Sequence, residues 1–413
     1  MSSEWTNTTI SECLELSNGK SRPTDGGSLN VFGSNGIIGS CQEENSSAGT
    51  IIIGRVGTYC GSLHFSDQRC WVTDNAIKAL PRNGFDGRFF FHLLKTCDLA
   101  RLRAGSGQPL LNQSIIGGIE VSVPPYPQQI AIAHILGTLD DKIELNRKTN
   151  ETLEGIAKAL FKSWFVDFDP VRAKAEGRPT GLPDEISELF PDSLEESELG
   201  EIPSGWNVKS IGDVAEVIDC LHSKKPEKLD EGSLMLQLNN IRDDGLLDVG
   251  DQFLISDSDY QKWTSRMEAR EGDCVVTNVG RIGAVAQIPE GLKAALGRNM
   301  TGVRSKQTFK CHTFILEYLL SPLGREEIRI NIDEGTILNA LNVKSIPKLR
   351  FALPSGHLLE KYEVISRSFR KRMEMLLVEN SLLCDLRDAL LPRLISGELR
   401  VLDAEKILQE VGI

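Results

Sequence analysis

The chain has no run of 18 apolar residues, no CxxC pair, no HExxH helix, no GxGxxG loop and no P-loop among its 413 residues. The first absence excludes a membrane-spanning helix. The missing cysteine and histidine spacings exclude the usual zinc frameworks, and nine scattered cysteines, an odd number, do not compose a disulfide scaffold. Reduced thiols in a cytoplasmic protein are the better expectation. The start, MSSEWTNTTISECLELSNGK, lacks a basic-then-apolar pattern and does not read as a secretion signal. Without a P-loop there is no ATP-driven motor. Gly54-Arg55-Val56-Gly57 has the glycines of a turn but not the spacing of a dinucleotide loop. Val123-Pro124-Pro125-Tyr126 falls short of the tetrapeptide of adenine methyltransferases, because valine has no acceptor for an amino group.

Charge is the next constraint. The net of −12 argues at first against a nucleic-acid partner, but it is unevenly spread. Residues 1–125 carry 10 basic and 11 acidic side chains, and residues 206–355 carry 19 and 21. Residues 126–205 hold 8 against 16, so most of the excess lies in the middle. Two near-neutral blocks leave room for a basic face on each.

What the sequence does have is a long internal repeat. LNQSIIGGIEVSVPP at 111–125 is answered by LNVKSIPKLRFALPS at 341–355, with Leu, Asn, Ile and Pro in the same places. The 230-residue offset continues without a gap, matching Ile135 to Ile365, Asn150 to Asn380 and Leu160 to Leu390. Upstream, with shifted offsets, Trp5–Ile10 corresponds to Trp206–Ile211 and IIIGRVG at 51–57 to CVVTNVG at 274–280. A period above 200 residues means duplicated domains, since solenoid repeats are far shorter.

Each copy opens with short β-branched runs broken by glycine, the pattern of strands and tight turns. Each closes on a heptad pattern. The first seam runs Ile132, Leu136, Leu139, Ile143, Asn146, Asn150, Leu153, Ala157, Leu160 and Trp164, in alternating steps of four and three. The second runs Phe369, Met373, Leu376, Asn380, Leu383, Arg387, Leu390 and Leu394. Asn150 and Asn380 share one seam position, which suggests either a partly wet helix end or control of register. Pro127 suits the start of a helix, whereas Pro392 should break or kink the second one near its end. The boundaries expected are 1–126, 127–205, 206–355 and 356–413, alternating block and helical segment.

The run from Val123 to Arg178, VPPYPQQIAIAHILGTLDDKIELNRKTNETLEGIAKALFKSWFVDFDPVRAKAEGR, resembles the central conserved region of the DNA-specificity subunits of type I restriction–modification systems. The run LFPDSLEESELGEIPSGW that follows, and the ending LRDALLPRLISGELRV, resemble the same family. Pro127-Gln128-Gln129 departs from its usual Glu-Glu-Gln triplet, at a helix start. The resemblance implies an α+β fold. Two pseudo-repeated, β-rich target-recognition domains would each be followed by a long helix, and the helices would pack as an antiparallel coiled coil. It implies a non-catalytic cytoplasmic subunit that binds double-stranded DNA at a split, asymmetric target. It further implies two adenine-N6 modification subunits, which would carry S-adenosylmethionine, and a restriction subunit as partners; no cofactor or metal is expected on this chain. A 33-residue seam spans about 50 Å at ~1.5 Å per residue, more than the ~34 Å between half-sites one turn apart. The alternatives are an enzyme in its own right and a coiled-coil scaffold or orphan DNA-binding protein.

Base edges are read chiefly by Arg, Asn and Gln, and phosphates are held by Lys, Arg and small polar groups. The candidates are Arg55, Arg101 and Arg103 in the first domain. In the second they are Lys224, Lys225, Asn239, Asn240, Arg242, Asn278, Arg281, Arg298 and Asn299, with Arg55 and Arg281 in equivalent turns as the favoured pair. Trp164, Phe165 and Phe168 are candidates either for a partner interface or for the cap between helix and linker.

Overall fold

The computed structural model describes residues 5–102, 110–333, 339–410 and 412. Its contacts group the chain into two units, Met1–Leu145 with Asn380–Ile413, and Asn146–Glu379. Each unit holds one β-rich block together with part of both long helices, which run Tyr126–Phe165 and Gly356–Ile395, 40 residues each.

In the first unit a four-stranded antiparallel sheet has the order Leu14–Asn18, Ala76–Pro81, Thr50–Gly54, Leu63–Ser66. The strand TIIIG is buried along its whole length, which is why its apolar run does not alternate. A second sheet joins Gly36–Cys41, Leu29–Gly33 and Trp71–Val72, the last pairing in parallel. Thr6–Thr9 pairs with Glu120–Val123 and so closes the block on itself. The helix Gly87–Lys95 lays Phe89, Phe90, Leu93 and Leu94 into the core. Ile132, Leu136 and Leu139 of the first long helix join that core, as do Leu383, Leu390 and Leu394 of the second.

The second unit repeats the plan. Its main sheet has the order Ala215–Asp219, Met300–Ser305, Cys274–Thr277, Val285–Gln287, strand for strand the order of the first. Asn207–Ser210 pairs with Arg350–Leu353 as the closing ladder. The helix His312–Leu320 follows the sheet as Gly87–Lys95 does, and its Phe314, like Phe89, is fully buried. Trp164, Phe165 and Phe168 lie 2–8% exposed in this core, with ring contacts among Trp206, Phe314 and Tyr362. As candidates for a partner interface they are therefore corrected: large aromatic rings bring their greatest gain when buried, and here they cap the core.

The helices pack antiparallel. In the second unit the Asn150 amide donates to the Met373 carbonyl at 3.3 Å. In the first, Asn380 donates to the Ile143 carbonyl at 3.2 Å. Each carbonyl belongs to the residue one heptad before the other asparagine, so the two bonds are the same bond seen from opposite helices. The seam residues Ile132, Leu136, Leu139, Met373, Leu376, Leu383 and Leu390 are buried; Ile143, Asn150, Leu153, Leu160, Phe369 and Asn380 are half-buried. Pro392 falls within the last turn, so the helix ends three residues later at Ile395 rather than breaking.

Candidate nucleic-acid interface

Strand Thr50–Gly54 leads into Arg55, and strand Cys274–Thr277 into Asn278. The backbone brackets both residues identically. Arg55 N–H donates to the Asn75 carbonyl at 3.0 Å and its own carbonyl accepts from Leu111 N–H at 2.9 Å. Asn278 N–H donates to Asn299 at 2.8 Å and its carbonyl accepts from Leu341 at 2.9 Å. Gly57 and Gly280 then turn the chain, both in the left-handed region at φ 72° and 75°, where a side chain would be strained. The residue equivalent to Arg55 is therefore Asn278, and Arg281 lies three places further along the same turn.

The two side chains at this shared position behave differently. Asn278 is 8% exposed; its amide donates to the Leu341 carbonyl and its oxygen accepts from Thr301 Oγ1, both at 3.0 Å. As a base-reading candidate it is corrected, because it is buried and both the donor and the acceptor end of its amide are engaged inside the fold. Arg55 is half-buried, its Nε is enclosed without a partner, and among the described residues no carboxylate pairs with it. Thr58 and Tyr59 beside it are exposed.

Other candidates divide in the same way. Asn240 is 2% exposed, accepting from Gln237 N–H at 2.7 Å and donating to the Asp248 carbonyl at 2.6 Å, so it too is corrected to a structural residue. Arg242 forms a forked pair with Asp244 at 2.8 Å and closes its own loop. Burial pushes the Asp244 carboxyl up, but that guanidinium holds it below the usual carboxylate range. Arg281 pairs with Asp243 and donates to the Ile241 carbonyl at 2.5 Å, tying the same loop down. Arg101 is exposed and pairs with Asp98 at 2.7 Å; Arg103 lies outside the described residues. Asn239, Lys224, Lys225 and Arg298 are exposed, Lys225 with its ammonium 4.2 Å above the Phe253 ring. Asn299 is half-buried at φ 65°, a conformation asparagine tolerates better than most. Among the described residues, Arg55, Lys224, Lys225 and Arg298 are the candidate cations left without an acidic partner, Lys225 resting on the Phe253 ring instead.

Asp219, Cys220 and His222 bring three ligand-type atoms within 4.8 Å. Arg266 stands 3.6 Å from the Asp219 carboxylate, and the His222 ring 2.9 Å from it, so that charge is already answered within the chain.

The sequence reading passed over the polar groups where each block meets its helix. In the first unit Gln129 accepts from Asp86 N–H at 3.0 Å and donates to the Pro124 carbonyl at 2.9 Å. This residue closes the Pro127-Gln128-Gln129 triplet at the one position that keeps the usual glutamine, and that retained residue was the available signal. In the second unit Arg370 and Glu317 form an ion pair at 2.5 Å, 2% and 1% exposed.

Comparison with known proteins agrees with this architecture. Residues 2–155 match the family model described as a type I restriction modification DNA specificity domain. The chain is 26% identical over 343 residues to the type I restriction enzyme HindI specificity subunit of Haemophilus influenzae, covering 73% of each. It is 25% identical over 331 residues to the type I restriction enzyme MjaIX specificity subunit of Methanocaldococcus jannaschii, covering 78% of this chain and 71% of that one. Its fold matches the crystal structure of the type I restriction–modification S subunit from M. genitalium with a TM-score of 0.64, at 16% identity, over 95% and 96% of the two chains.

Proposed function

Because the chain belongs to the family of type I restriction–modification DNA-specificity subunits, which recognise DNA and are not themselves catalytic, we propose that it reads a two-part asymmetric target, one part with each block. The observation that carries this reading is the duplicated turn. The same backbone frame presents a free guanidinium in one copy and a self-satisfied amide in the other. Two readers with one scaffold and different side chains suit two different half-sites.

In the first block Arg55 would meet a guanine edge or a phosphate, with Thr58 and Tyr59 beside it. In the second, Lys224 and Arg298 would hold the backbone while Asn239 or Asn299 met a base. The chain would recruit two adenine-N6 modification subunits, each flipping its adenine and supplying S-adenosylmethionine from its own site. A restriction subunit would complete the assembly in the cytoplasm. The test is to express the chain with its modification subunit in methylation-free cells and map N6-methyladenine along the genome. One interrupted motif, methylated on both strands and lost when the chain is omitted, is the expected result. Methylation by this chain alone, or a contiguous motif, would contradict the reading.

A further inference from the structure

The two blocks meet their helices through junctions built at matching positions, and the charge that the long helix presents there is reversed. Asp140 and Arg370 correspond at the 230-residue offset of the helices, and His92 and Glu317 correspond in the nine-residue helices that follow the two sheets. In the first unit the helix presents the acid. Asp140 takes Lys95 at 3.2 Å from the block and Arg387 at 2.9 Å from the facing helix, with the His92 ring 3.8 Å away. Arg88 of the same block helix pairs with the neighbouring Asp141. In the second unit the helix presents the base. Arg370 donates to Glu317 at 2.8 and 2.5 Å, and also to the Asp244 carbonyl.

The surroundings follow the reversal. Ala157, fully buried, stands where the first unit has Arg387. Helix capping is reversed as well. The first block caps its own helix, with Asp86 accepting from Phe89 N–H at 2.7 Å. The second block leaves that end to the long helix, where Glu363 accepts from Thr313 and Phe314 N–H at 3.1 and 2.7 Å. The position matching Glu363 in the first long helix is Ala133.

We propose that these reversed junctions are a pairing code that seats each block on its own helical segment and rejects the other. The first block on the second segment would set Lys95 against Arg370 and Arg88 against Lys371, the positions matching Asp140 and Asp141. The second block on the first segment would set Glu317 against Asp140 and leave its helix end facing Ala133 without an acceptor. A like-charged buried contact costs more than an absent one, because neither charge is solvated or paired. The code concerns assembly and holds independently of what DNA the blocks read.

The direct test is a full-length chain in which residues 1–125 also replace residues 206–355, so that the first block stands in both places. The code predicts that thermal unfolding of this chain begins about 5 °C or more below the parent, with the second copy cut first by protease. Adding Arg370→Asp with Ala157→Arg should recover most of that loss. A graft as stable as the parent, or one that these two changes leave no better, would overturn the proposal. Should neither graft yield folded protein, the parent chain decides. Arg370→Glu should lower the transition, and Glu317→Arg added to it should restore most of the loss; a double variant no better than the single one would also overturn the proposal.

Discussion

At the scale of single residues, Arg55 and Asn278 should fail in opposite ways. Arg55→Ala removes no internal partner, so the melting temperature should stay within a degree or two while DNA binding weakens. If Arg55 holds a phosphate, the slope of log affinity against log salt should fall by about one. If it reads guanine, specificity at one base should relax at a cost of about 1–3 kcal/mol. Asn278→Ala should instead cost about 1–3 kcal/mol of stability, since it strands the Leu341 carbonyl and the Thr301 hydroxyl. Thermal unfolding and a binding titration on both variants distinguish the roles. Composition could nominate these residues as polar and turn-borne. It could not tell which were inward-facing, because asparagine and arginine serve equally well as internal staples and as readers of bases.

Buried acids on the second long helix give a further residue-scale prediction. Burial pushes Glu363 and Glu374 up to about 7, from 4.5 for the free side chain. Between those values the folded chain holds protons that the unfolded chain has released. Stability therefore falls as pH rises from about 4.5 to 7, and the loss is complete above that. Glu374→Gln should flatten part of this decline and raise the melting temperature at pH 8 relative to the parent. An unchanged pH profile would remove Glu374 from the account. His92 works in the opposite direction: burial lowers it to about 3, so it is neutral at pH 7 and its contribution is lost as pH falls from 6.5 towards 3.

At the scale of elements, the heptad seams were the most legible part of the sequence. A step of four and three over ten positions leaves few alternatives to a packed helix. The repeated phrase at 111–125 and 341–355 also proved structural, containing the strands Glu120–Val123 and Arg350–Leu353 that close the two blocks. The block–helix junctions were not legible, since nothing local says that Glu317 and Arg370, 53 residues apart, will meet. Asn150 and Asn380 each satisfy one carbonyl of the opposite helix while leaving their own Oδ1 enclosed without a partner. Replacing both with leucine should raise stability by roughly 1–2 kcal/mol at the expense of register. A cysteine pair placed across the seam in the parent register would report the slip: crosslinking should fall in the double leucine variant, and undiminished crosslinking would show that the asparagines do not set register.

At the scale of the whole molecule, duplication explains why a chain with a net charge of −12 can serve DNA. Its acidity is concentrated in the helical and linker segment, and each block keeps cations free of internal acids. If the helices set the spacing of the two readers, adding one heptad to each at matching seam positions lengthens them by about 10 Å. The gap in the target should then grow by about three base pairs while both half-sites stay the same; an unchanged gap would remove the helices from the measurement of spacing. The claim beneath all of this is that each block reads one half of the target alone. Its most direct test is to exchange residues 1–125 for the corresponding block of a relative and compare genomic N6-methyladenine maps with the parent. The account predicts that one half-site changes while the other half-site and the gap persist. A change in both half-sites, or in neither, would contradict it.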